Sequence, residues 1–100
     1  MIGRVLREAE KELDDAIAHY ERIDAALSLR LRVEVRRALI WIRDNSEIPR
    51  LRPNGYRRVN LRVFPYYLPY FIWADAIWIL AFAHGHRKPE YWIERVDKLA

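Results

Sequence analysis

A chain of 100 residues with a formal charge of +4 and 52% hydrophobic residues has enough apolar matter for one small globular domain over residues 1–100, and too much for a disordered chain. It contains no cysteine, which excludes a disulfide scaffold, a thiolate metal site and a cysteine nucleophile. The opening residues Met1–Leu6 run straight into charges without the apolar stretch of a secretory signal, so a reducing cytoplasm is the expected compartment.

The sequence changes character near residue 45: the first part is rich in Ala, Glu, Arg and Leu, while all five prolines and most aromatics follow. Leu6, Ala9, Leu13, Ala16, Ile17 and Tyr20 recur at helical spacing over residues 6–23, with Glu8, Glu10, Glu12, Asp14 and Asp15 mostly off that stripe or at its rim. The next segment reads two ways. Leu27, Leu29, Leu31, Val33 and Val35 alternate with polar residues as a strand would, yet Leu27, Leu31, Val35, Ala38, Leu39 and Ile42 form a helical stripe. Residues 25–44 hold no breaker and are too long for an ordinary strand, so a helix capped by Asp24 is expected, paired with the first as an antiparallel hairpin.

Residues 45–55 (NSEIPRLRPNG) form a loop. Three strands are expected next, Tyr56–Leu61, Val63–Trp73 and Ala76–His84, with Ala74-Asp75 as a tight turn between the last two. Glu90–Leu99 reads as a short terminal helix after the break at Lys88-Pro89. Residues 66–83 are nearly all apolar and about as long as a bilayer span. Pro69 and Asp75 interrupt that run, and a mid-membrane Asp is costly, so a buried hairpin is expected there and no membrane partner. The fold class is therefore α+β, an N-terminal antiparallel helix hairpin on a small twisted antiparallel sheet of three to four strands with a short C-terminal helix.

Residues 1–50 are balanced in charge, and all of the net +4 lies in residues 51–100, where Arg52, Arg57, Arg58 and Arg62 precede any acid. Such a stretch attracts phosphates or an acidic protein surface. His84 and His86 flank Gly85 without a nearby Asp, Glu or Cys to complete a metal site, so no metal or other cofactor is expected, and one histidine satisfied by backbone is the simpler role. Neither serine lies in a nucleophile turn, and the three glycines stand apart, which excludes a phosphate loop. Metal-free cleavage of RNA by its own 2′-hydroxyl stays open, with Arg58, Arg62 and Arg87 as cations and Tyr91, His84 or His86 as acid.

The run Ile79-Leu80-Ala81-Phe82-Ala83-His84-Gly85-His86-Arg87-Lys88-Pro89-Glu90-Tyr91-Trp92, with Arg95 after it, resembles the C-terminal signature of the RelE/ParE toxin superfamily. Arg62-Val63-Phe64-Pro65-Tyr66-Tyr67-Leu68-Pro69-Tyr70 is similar to its second-strand block, and Glu8–Leu13 with Ala16 and Tyr20 to its first helix. Members usually open with a full strand, for which only Met1–Leu6 is available here. The resemblance implies a toxin of a type II toxin–antitoxin pair, held by a small DNA-binding antitoxin of the ParD/RelB kind, with operator DNA reached only through that antitoxin. RelE-like members cut messenger RNA on the ribosome; ParE-like members poison DNA gyrase.

Against the nuclease pattern, Arg58 and Arg87 match. Asn60 stands at the second basic position, Tyr67 replaces the next-strand Arg, and Tyr91 comes earlier than the nuclease Tyr, near whose place Ile93 stands. The ending leans to the ParE or plasmid-stabilisation branch, which implies gyrase inhibition by binding rather than catalysis. The expected contact residues for target or antitoxin are Arg57, Arg58, Arg62, His84, Arg87, Tyr91 and Trp92. A nuclease acting on ribosome-bound messenger RNA would instead draw on Arg58, Arg62, Arg87 and Tyr91.

Overall fold

A computed structural model describes residues 1–99. Strand β1 (Ile2–Val5) leads into helices α1 (Arg7–Ile23) and α2 (Ala25–Asp44), followed by β2 (Arg57–Asn60), β3 (Tyr66–Trp73), β4 (Ala76–Ile79), β5 (Ala83–His84) and a 3-10 helix (Ile93–Leu99). The helical reading of residues 25–44 holds, and Asp24 caps it by accepting from the Ala26 amide at 2.9 Å. The strand-like alternation has a structural origin. α2 is apolar on two faces: Leu31, Val35, Ala38 and Ile42 are buried, while Leu29, Val33 and Ile40 lie outside.

The sheet order is β1-β4-β3-β2, with β5 pairing the start of β3. β2, β3, β4 and β5 pair antiparallel as the α+β reading requires, but β1 joins parallel to β4 and makes the sheet mixed. The short opening strand is thus present as an edge. Ala74 and Asp75 both adopt positive φ, 52° and 60°, as a two-residue hairpin with the right-handed twist of its strands demands.

The expected strand Ala76–His84 is broken, and Pro69 supplies the reason. Leu80 faces Pro69 in the register and donates its amide to the Pro69 carbonyl at 2.9 Å, but proline has no N–H to return to the Leu80 carbonyl. Arg95 Nη1 fills that vacancy at 3.0 Å, so the strand ends and Leu80–Phe82 turn into the core before β5 resumes. The expected terminal helix Glu90–Leu99 is shorter and tighter, a 3-10 segment beginning at Ile93.

Side chains on β3 alternate between two cores. Leu68 and Tyr70 point to the helices and pack with Leu31, Val35, Ile42, Ile77 and Ile79. Tyr67 points the other way, where the C-terminal tail covers the sheet with Trp92 and Leu99 over Tyr56, Leu80 and Ala83. Burial on both faces explains the nearly continuous apolar run 66–83, and no helix among the described residues is long and apolar enough to cross a membrane.

Candidate functional site

The tail is fastened by one carboxylate. Glu12, on the rim of the α1 stripe, has a side chain only 16% exposed. It accepts from the Tyr91 hydroxyl at 2.5 Å, from Arg95 Nη1 and Nη2 at 2.9 and 3.1 Å, and from the Phe82 amide at 3.2 Å. Arg87 Nη1 lies 3.5 Å away, and its guanidinium stacks 3.7 Å over the Tyr91 ring. Burial and the Glu12 bond push the Tyr91 hydroxyl well above the usual tyrosine range, with the two arginines opposing. Sequence reasoning left Glu12 among the acids off the apolar stripe or at its rim and gave it no role. The available signal was Arg87, Tyr91 and Arg95 at spacings of four, three donors asking for one acid.

Two further contacts hold the tail. Glu90, at φ 59°, accepts from Asn54 Nδ2 and the Tyr56 hydroxyl at 3.0 and 2.8 Å. Trp92 is 1% exposed, stacks edge-on with Tyr56, and donates from Nε1 to the Tyr67 hydroxyl at 3.1 Å. This corrects the expectation of Trp92 as a contact residue: it is a core side chain.

The remaining candidates fall in two places. Arg87, His84 and Tyr91 line a cleft of about 240 Å3 beside α1, with Glu12, His19 and Tyr66. The His84 ring packs edge-on against Tyr66, and its Nδ1 accepts from the His86 amide at 3.0 Å, the backbone role expected for one of the two histidines. Arg58 and Arg62 line a separate groove of about 600 Å3 between α2 and β2. The Arg58 guanidinium stacks 4.3 Å from the Tyr67 ring centre on the sheet face away from the helices. Arg57 donates from Nε to the Pro49 carbonyl at 2.9 Å and anchors the preceding loop. Arg62 is exposed, and its amide donates to Glu34. The groove also takes Arg30, Arg37 and Trp41 from α2, none of which the sequence reading singled out.

A helix hairpin on one face of a small mixed sheet, with a C-terminal tail folded over the other, is a ParE-like fold. The match to the family "ParE toxin of type II toxin-antitoxin system, parDE" spans residues 4–89, and the chain belongs to that family. A solved structure, the chromosomal ParDE toxin–antitoxin system from P. aeruginosa, is similar with a TM-score of 0.74 and 20% identity, over 84% of this chain and 95% of that one. A search of curated protein sequences found no match.

Proposed function

We propose that this toxin acts by binding rather than by cutting: it inhibits DNA gyrase and is neutralised by a small antitoxin of the ParD kind. One observation supports this over nuclease chemistry. The Arg58 guanidinium stacks on Tyr67 on the sheet face away from the helices, Arg62 lies exposed at the α2–β2 groove, and Arg87 and Tyr91 line the α1 cleft, so these side chains face three different places. Metal-free RNA cleavage needs its base, acid and phosphate clamp within hydrogen-bond reach of one phosphodiester. The Tyr91 hydroxyl already donates to Glu12, and its raised pKa makes it a poor proton donor to a leaving oxygen. Asn60, in the second basic position of the nuclease pattern, offers no cation.

Primer extension on translated messages after induction tests the reading. No new discrete 5′ ends are expected. Discrete ends at ribosomal A-site codons, lost in Arg87→Ala, would overturn it in favour of a ribosome-dependent nuclease.

A further inference from the structure

The fold sorts the charges in a way that the two halves of the sequence conceal. Residues 26–62, which run from α2 through the loop to β2 and just beyond, carry ten arginines, no lysine and three acids. The rest of the chain carries eight basic and eleven acidic residues, so one side of the molecule is strongly positive and the remainder mildly negative. Among the described residues only one of the ten arginines, Arg43, has a carboxylate within 4.0 Å. The α2–β2 groove of about 600 Å3 concentrates this charge. Arg30 and Arg37 stand on its α2 wall, two helical turns and so about 10 Å apart, and Arg62 stands on the facing wall. The one acid in the lining, Glu34, accepts from the Arg62 and Val63 amides at 2.9 and 3.3 Å, so it is spent on backbone rather than on a guanidinium. Trp41 follows Arg37 by one turn on the same wall and is 40% exposed.

We propose that this groove holds a single strand of nucleic acid, with phosphates on Arg30, Arg37 and Arg62 and one base stacked on Trp41. Three features select this occupant. A phosphodiester strand carries a charge on every unit and meets arginines on both walls, whereas an acidic peptide strand turns only every second side chain toward one wall. Arginine throughout, with no lysine, suits phosphate because the guanidinium fork donates to two of its oxygens at once. An exposed indole beside arginines offers its face to any base, and the exposed Val33 and Val63 set methyl groups against base and sugar. A duplex offers no free base face to Trp41, because its bases are stacked on one another. The strand is gripped and not cut, since Arg87 and Tyr91 lie in the separate α1 cleft.

The full chain is titrated into a labelled ten-nucleotide oligo-dT and binding is read by fluorescence anisotropy at several salt concentrations. Competitors are oligo-rU of the same length, the oligo-dT·oligo-dA duplex and a blocked peptide alternating Glu and Val. Three phosphate contacts predict that log K falls with log salt at a slope of about −2, or about −0.7 per contact. Arg30→Ala and Arg37→Ala are each expected to weaken binding and to flatten that slope by about 0.7. Trp41→Ala is expected to weaken binding by about fivefold to a hundredfold with the slope unchanged, a split that damage to the fold does not produce. Arg22→Ala, exposed on α1, is expected to change neither. Equal competition by oligo-rU shows that phosphates and base faces are read without the sugar, and unequal competition assigns the sugar; both results support the groove. Absence of binding, a slope unmoved by both arginine variants, or parental affinity in Trp41→Ala overturns the proposal. So does competition by the duplex or the Glu/Val peptide that matches the unlabelled single strand. No gyrase enters the readout, so the groove and the proposed target stand or fall separately.

Discussion

Replacing Glu12 by Ala removes the acceptor for four donors at once. The Arg95 guanidinium, 18% exposed, keeps its bond to the Leu80 carbonyl but loses its counter-charge, and the Tyr91 hydroxyl and Phe82 amide lose their acceptor. Breaking one partner of a fully buried pair costs about 3–5 kcal/mol. The residual exposure of Glu12 and Arg95 screens the charge, and Arg87 is more exposed still, so about 2–4 kcal/mol is the expected loss for Glu12→Ala. Glu12→Gln keeps one acceptor and is expected to lose about half as much. Urea unfolding followed by tryptophan fluorescence reads the change as a lower midpoint at constant slope. Glu10→Ala, on the exposed side of the same helix, serves as control and is expected to fall within about 0.5 kcal/mol of the parent. A Glu12→Ala loss below about 1 kcal/mol, or no coupling with Arg95→Met in a double-mutant cycle, would refute the idea that this carboxylate fastens the tail.

Other consequences are accessible to the same assay. Asp24→Ala removes the α2 cap and is expected to cost about 1 kcal/mol; an unchanged midpoint would contradict the capping role. Ala74→Asn with Asp75→Gly relieves two positive-φ positions in the β3–β4 turn and is expected to stabilise by about 0.5–1 kcal/mol. Tyr56, Tyr66, Tyr70 and Tyr91 all carry hydroxyls pushed up by burial, Tyr70 to about 12. A raised acid stays protonated in the folded chain after the unfolded chain has ionised. The stability is therefore full below about pH 10 and falls as pH rises from there toward 12 and beyond. Urea midpoints at pH 9 and 11 check this, and Tyr70→Phe is expected to flatten the drop.

Local signals were legible where one residue type forces one geometry. Asp24 before a breaker-free run marked the helix start, and Ala74-Asp75 between aromatic runs marked the hairpin. The break after Ile79 was not legible, because it depends on Pro69 facing Leu80, a pairing that exists only once the register is set. The parallel pairing of β1 was not legible either, since a four-residue strand with every residue exposed leaves no periodic trace. Trp92 looked like a contact residue because an aromatic in a charged tail is ambiguous until its burial is known. Glu12 could not be picked out because its donors, Phe82, Arg87, Tyr91 and Arg95, lie 70–83 positions away, beyond any local window. The α2–β2 groove had a visible trace in the double alternation of residues 27–35, which reads as two apolar faces once the helix is accepted.

The central claim is that this toxin arrests its target by occupying it, and supercoiling of relaxed plasmid by purified gyrase tests that most directly. Added toxin is expected to suppress supercoiling in proportion to its concentration, and a prior equivalent of antitoxin to restore it. Full supercoiling at saturating toxin, alongside halted translation in a purified ribosome system, would contradict the account.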